Sequence, residues 1–448
     1  VIERVDTSSR AVASNDLGVA LRDRYERSGD PADLARAVEH LRDAVRLTTP
    51  RSPDLPRYLG NLARAVRLRH DRTGDPADLD EGLALFDRVA ALADDTGPIR
   101  AEYRGEHACL LLDRFERDGE ASDVDTALAL LQQAVAETPP GAPARAGLLN
   151  TRGNCLRARF ELTGRSTDLE SATTAFRLAL DCGATTAPER ATYLDNLANC
   201  LIDRYRVDDD LTQLDRAVDT FSVALAISPD HPRVRANLAG ALWHRWIEHG
   251  DERDLDSVVD ILREVVEADV AGGARWSNNL AVALGDRYRV RADAADLAEA
   301  TAVFRTACES GAVADIRWSL LAARNWGKWA MGRAAWAEAA QAHGFGRAAA
   351  LHLSATRNRG RHQEHWLRQA RGLAVDSAVT SLRMGDLRDA VLALEEGRAL
   401  VLAEALARES AELDGLADEG RADLAERYRV GVDRLVALTR PRSGTGRR

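Results

Sequence analysis

Apolar side chains along this chain follow two nested periods. The short one is helical: Ala20, Leu21 and Tyr25 make one stripe, and Leu34, Ala37, Leu41 and Val45 make another with steps of three, four and four residues. The long one is the return of the whole arrangement. With Tyr25 as anchor, copies fall at His70, Phe115, Phe160, Tyr205, Trp246 and Tyr288, spaced 45, 45, 45, 45, 41 and 42 residues apart. A fixed period of this size predicts a stacked array, in which no unit can bury its apolar face alone.

Each unit reads as two helices. Four positions before the anchor stand Leu21, Val66, Leu111, Leu156, Leu201, Leu242 and Leu284. Gly follows the anchor by four residues in five copies (Gly29, Gly74, Gly119, Gly164 and Gly250), where a helix ends on a left-handed residue. Asp30-Pro31 and Asp75-Pro76 then supply a capping carboxylate and a proline at the first helical position, and Asp251 takes the capping place in the sixth copy. Residues 10 to 310 are expected to form seven antiparallel helix pairs in one superhelix, with residues 1 to 15 completing or capping the first.

Polar positions repeat as well. Arg precedes the anchor in all seven copies, at Arg24, Arg69, Arg114, Arg159, Arg204, Arg245 and Arg287. Asp lies eight residues after it in six, at Asp33, Asp78, Asp123, Asp168, Asp254 and Asp296, with Gln213 in the fifth. An Arg late in the first helix favours the helix dipole and reaches an Asp in the first turn of the second, bracing the connection. The competing reading is a ladder of guanidinium groups that binds acidic side chains or a peptide carboxylate. Bracing is preferred, because Asp recurs with Arg and unpaired charge at that density is costly. Arg204, opposite Gln213, is then the arginine left to face a partner.

Leu-x3-Tyr on the first helix and Ala172, Phe176 and Ala179 on the second resemble the tetratricopeptide pattern, whose usual period is 34 residues. The fold this implies is an all-α solenoid of helix-turn-helix repeats. The longer period places three extra residues between the aromatic of the first helix and the alanine of the second, read as a long turn, and about eight more in the second helix or its exit loop.

After about Gly311 the units shorten. Trp326, Trp329 and Trp336 fall close together, either as an aromatic peptide pocket or, the preferred reading, as core where long repeats meet short ones. Ser354 to Arg371 is the one basic stretch inside the chain, with Arg357, Arg359, Arg361, Arg368 and Arg371 against Glu364. Arg357 and Arg361 are candidates to meet an acidic partner or nucleic acid, beside the plainer reading of a solvated helix face. The expected divisions are residues 1–310 for the long repeats, 311–408 for shorter helix pairs, and 409–448 for a final helix at about Ala422 to Leu438 and a linker.

A second resemblance lies in Ala370 to Ala374, Gly385 to Val391 and above all Leu394-Glu395-Glu396-Gly397-Arg398-Ala399-Leu400. These segments are similar to the last helical hairpin of actinobacterial proteins in which tetratricopeptide-like repeats precede a CHAT domain, a caspase-like module. The resemblance implies a CHAT protease module, in cis or in trans, as partner. It also implies that the catalytic His and Cys belong to that module, and no residue here matches them. The chain opens on Val1 and ends on a Gly, Ser, Pro and Arg tail, which reads as a processed or engineered fragment with its linker cut short.

Composition narrows the function classes. Aromatic residues are only 5% and no alternating strand-like segment stands out, as an all-helical chain requires. The net charge of −10 argues against a general nucleic-acid binder. No run approaches the ~20 apolar residues that cross a bilayer, so no membrane partner is implied and the expected location is cytoplasmic. Of five cysteines, Cys109, Cys155, Cys200 and Cys308 fall at or beside small core positions and Cys182 at an exposed helix end, with no CxxC pair to hold a metal. His362 and His365 lack a third ligand, Asp208 to Asp210 reads as a solvated turn, and no phosphate loop, HExxH or GxSxG string occurs. No cofactor, metal or catalytic residue is expected. The leading reading is a non-catalytic scaffold that binds a protein or peptide and regulates a CHAT effector; an enzyme with its site in an inter-repeat groove, and a nucleic-acid sensor using residues 357–371, are the alternatives.

Overall fold

The computed structural model describes residues 7–92, 98–183, 185–268, 273–314, 316–355 and 361–399, together with Leu402, Arg421, Asp423, Leu424 and 426–428. Every regular element among them is a helix. Two compact units divide the chain, Val1–Ile261 and Leu262–Arg448.

In the first unit the leading helices of the hairpins are α1 (Thr7–Ser28), α3 (Leu55–Thr73), α5 (Pro98–Asp118), α7 (Ala144–Thr163), α9 (Ala187–Asp208) and α11 (Pro232–His249). The returning helices are α2 (Pro31–Leu47), α4 (Pro76–Leu92), α6 (Ala121–Glu137), α8 (Ser166–Asp181), α10 (Leu211–Ile227) and α12 (Glu252–Ala268), the last of which carries the unit boundary. The second unit holds α13 (Gly273–Arg291), α14 (Ala294–Ala314), α15 (Ile316–Gly332), α16 (Trp336–Ala355), α17 (Arg361–Arg383) and α18 (387–399). The fold is an α-solenoid of tetratricopeptide-like hairpins with a long period.

The connection between paired helices is short, not the long turn read from the spacing. Two residues, such as Gly29-Asp30 or Gly74-Asp75, separate α1 from α2 and α3 from α4. The extra residues are helical: leading helices run 18 to 22 residues, so the anchor lies one turn inside the helix end. Gly29, Gly74, Gly119, Gly164 and Gly250 all sit at φ between 66° and 75° and close the helix by donating to the anchor carbonyl. In the fifth and seventh copies Asp209 and Ala292 occupy the same left-handed position at φ 55° and 54°. Asp30, Asp75, Asp210, Asp251 and Asp293 then accept a backbone N–H two residues on and start the second helix.

Across that turn runs a paired arginine and aspartate. Arg69, Arg114, Arg159, Arg245 and Arg287 each donate Nε and Nη2 to the two oxygens of Asp78, Asp123, Asp168, Asp254 and Asp296, at 2.5 to 3.0 Å. Arg24 makes the same fork with Asp33. All six carboxylates are buried. The fork fixes both distance and plane, which a single hydrogen bond does not.

The stripes meet in the interior. Leu34, Ala37 and Leu41 of α2 are buried, as are Leu169, Ala172 and Phe176 of α8, and Leu59, Ala63 and Val66 of α3 belong to the cluster that also takes Phe86 and Leu110. Cys155, Cys200 and Cys308 are buried. Cys109 is not a core residue: it is half-buried with its Sγ 3.8 Å from Thr151 Oγ1. Cys182, expected exposed, packs partly against the core.

Two outcomes test this account of the turn. Ala292→Gly relieves a left-handed alanine and should raise stability by about 1 kcal/mol in a denaturant melt. Arg114→Ala leaves the buried Asp123 carboxylate unpaired and should cost about 1 to 3 kcal/mol, whereas Arg204→Ala, with no Asp to strand, should cost clearly less.

Candidate partner-binding face

In the first unit each leading helix packs beside the next, α1 on α3 and so on to α11. Where they adjoin, close apolar contacts such as the Tyr103 ring over Gly60 and Leu148 over Gly105 stand beside polar pairs. Asn61 Nδ2 donates to Asn15 Oδ1 at 2.8 Å, Asn196 Nδ2 to Asn150 Oδ1 at 2.8 Å, and Asn237 Nδ2 to Asp195 Oδ1 at 2.8 Å. Between these rungs stand ion pairs. Arg67 pairs with Glu106, Arg157 Nε donates to Asp203 Oδ2 at 2.5 Å, and Tyr205 Oη donates to Glu248 at 2.6 Å.

The face has a register that the sequence carried and the reading of motifs missed. Nine residues before the anchor stand Asp16, Asn61, Glu106, Thr151, Asn196, Asn237 and Asn279, polar in every copy. On α3, α5, α7, α9 and α11 that position meets a neighbouring leading helix, through Asn61, Glu106, Thr151, Asn196 and Asn237. Attention to conserved apolar spacing passes over it, because a polar helix position ordinarily signals solvent.

Asn61, Asn196 and Asn237 are half-buried. Each gives one amide N–H to the preceding helix and keeps a second N–H and a carbonyl oxygen, the pair that a peptide group complements. Asp113, between α3 and α7 on the same side, makes no hydrogen bond or ion pair among the described residues. Burial, reinforced by Asp71 and Glu116, pushes its carboxyl up to about 6, and His70 and Arg67 offset only part of this. The thiols here are poor nucleophiles: burial pushes Cys109 up to about 11 and Cys155 to about 12, so both are protonated at neutral pH. Among the described residues no three His, Cys, Asp or Glu side chains converge as a metal site, and no helix is long and apolar enough to cross a membrane.

The residues singled out from sequence are dispersed. Arg204 is less firmly held than its six counterparts: it lies 3.7 Å from Asp208, while Gln213 donates instead to Asp210 at 2.9 Å. The tryptophans belong to the second unit and do not form one pocket. Trp326 is completely buried, stacked on Phe304 at 6.4 Å between centroids, with Nε1 donating to Glu338 at 2.6 Å, so it offers nothing to a ligand. Trp329 is half-buried between Tyr288, Phe304 and the Arg333 guanidinium, which lies 3.7 Å above its ring. Trp336, half-buried, stands under Arg383 at 5.6 Å. Arg357 lies outside the described residues; Arg361 begins α17, and its side chain lies outside them too.

No protein-family model matches the chain, and no curated protein matches its sequence. Among solved structures it is similar to the apo form of RapI, with a TM-score of 0.49 at 13% identity over 88% of this chain and 99% of that one. A tetratricopeptide repeat protein from Parabacteroides merdae gives 0.40 at 16% identity over 66% and 94%. YrrB, described as a TPR protein with an unusual peptide-binding site, gives 0.33 at 15% over 50% and 89%. Similarity at this level brings neither a ligand nor an activity to the chain.

The Asp113 environment has a pH signature. Its folded value of about 6 lies above the ordinary 3.8, so its contribution to stability is complete below 3.8 and is lost as pH rises through about 6. Asp113→Asn should therefore raise the melting temperature at pH 7 and change it little near pH 3.8. Equal effects at both pH values would contradict the burial argument.

Proposed function

We propose that this chain is a non-catalytic recognition scaffold that binds a protein or peptide along the polar face of α3, α5, α7, α9 and α11. The observation that carries the reading is the amide row: Asn61, Asn196 and Asn237 occupy one register position, each anchored by one N–H and each holding a donor and an acceptor in reserve. A row of half-satisfied amides on rigid helices is preorganised for main-chain hydrogen bonding, and rigidity lowers the entropy lost on binding. Charged groups on the leading helices, Asp113 among them, would select side chains.

The finer reading is that the partner is a CHAT caspase-like module, in cis or in trans, which the array regulates. What supports it is the resemblance of the last hairpin, and the structure gives that segment a packing role. Glu396 accepts from Arg347 Nε at 2.6 Å, and Gly397 lies so near Ala374 that a Cβ there would stand 2.5 Å from the alanine Cβ. The segment thus seats α18 on α16 and α17 rather than performing chemistry.

A displayed random-peptide library panned on the full chain tests the reading. Peptides selected by the wild type should lose at least tenfold affinity on Asn196→Ala/Asn237→Ala, with helical content unchanged by circular dichroism. Selected peptides that bind the double variant equally well, or a library that yields none, would remove the amide face from consideration.

A further inference from the structure

One contact between α15 and α16 uses chemistry that packing does not need. Close helix glycines elsewhere in the array face apolar side chains, as Gly18 faces Leu41, Gly105 faces Leu148 and, on α16 itself, Gly346 faces Leu373. Gly327 of α15 faces the imidazole of His343 instead, and among the described residues it is the only glycine to do so. The approach is close: a Cβ at position 327 would stand 2.4 Å from Nε2. The imidazole is 2% exposed, and neither of its nitrogens has a hydrogen-bond partner. Both sides of this contact are costly. A glycine inside a helix loses more conformational freedom on folding than an alanine, and an imidazole buried without partners forfeits the hydrogen bonds that water gave it. Leucine, which fills the corresponding place over the other glycines, would avoid the second cost.

What a proton would do there depends on the charges around the ring. α14, α15 and α17 all pack on α16. α17 brings the half-buried Asp376, which favours a charged imidazole, and α16 itself brings Arg347, which opposes it and is held by Asp389 and Glu396 of α18. On α15, Arg324 stands one turn before Gly327 with its Nε buried and unpartnered, and Lys328 is exposed. α14 gives Phe304, Ala307 and Cys308 to the core that takes Ala342 of α16, and burial pushes that thiol up to about 12, so it carries no charge. Desolvation outweighs the one carboxylate and holds His343 below the ordinary 6.5, so the ring is neutral as packed. An imidazolium in so closed a place would have neither water nor a hydrogen-bonded partner.

We propose that the contact between Gly327 and His343 is a proton-operated latch within the second unit, which seats α16 on α15 while the imidazole is neutral and parts the two helices when it is protonated. Asp376 of α17 is the carboxylate available to the ring once it leaves. An unseated ring titrates at its ordinary 6.5 and the seated ring below it, so the latch holds at full strength above 6.5 and weakens as pH falls from there toward the seated value. The inference is independent of what binds the amide face of the first unit.

Hydrogen–deuterium exchange of the full chain, corrected for the intrinsic pH dependence of exchange, is measured at pH 7.5 and pH 5.5 for the wild type and for His343→Leu, which keeps the apolar contact used at the other glycines. Opening governed by a ring that titrates at 6.5 rises at most about tenfold over that interval, and the wild type is expected to lose at least about threefold in protection across α15 and α16 while the variant loses none. Equal loss in both proteins, or no loss in either, would overturn the proposal. Exchange of the His343 Cε1–H in the wild type, read by mass spectrometry, gives a check that needs no variant. A ring that titrates in step with the loss of protection supports the latch, and a ring that titrates while α15 and α16 stay protected overturns it.

Discussion

The bidentate pair between an arginine late in one helix and an aspartate early in the next is the interaction on which the rest of this structure depends. A two-residue connection leaves few backbone angles to set the course of the second helix, and the left-handed residue with its capping carboxylate sets only the reversal. The fork from Arg114 to Asp123, repeated in five other copies, fixes the two helices in plane and distance across the turn. Because the carboxylate is buried, the alternative to pairing is an isolated charge, which makes the geometry close to obligatory.

Once the hairpin is fixed, stacking follows from what it leaves uncovered. Each hairpin presents aliphatic surface that the following helix buries, and this requires the leading helices to lie edge to edge. Their edges carry polar groups beside the apolar ones, and these are satisfied by amide rungs and ion pairs such as Asn196 to Asn150 and Arg157 to Asp203. The arrangement separates two tasks: nondirectional burial sets cohesion, and directional hydrogen bonds set registry between repeats. An amide that spends one N–H on its neighbour still holds a second donor and an acceptor.

The fifth repeat departs from both rules together. Gln213 replaces the aspartate, Asp209 replaces the glycine, and Tyr205 alone among the anchors donates its hydroxyl to a glutamate on the next leading helix. Gln213 turns to the capping Asp210, which frees Arg204 from the fork. The brace is exchanged there for a contact between repeats.

The repeat was legible in the residues alone because it returns at a fixed period, and its two helices, the residues that cap them and the aspartate facing six of the arginines were legible because they rest on spacings within about 20 positions and on side chains whose conformational preferences are their own. The turn length was misread, because the extra residues between Tyr25 and Ala37 could extend either the loop or the helices, and only packing decides that they are helical. Trp326 and Trp329 adjoin in sequence, yet burial gives one to the core and leaves the other half open. The row of Asn61, Asn196 and Asn237 was written at one register position, but its meaning was not. A polar residue on a helix is free at a surface and paired at an edge, and which of these holds depends on a helix 45 residues away that only the tertiary structure brings alongside.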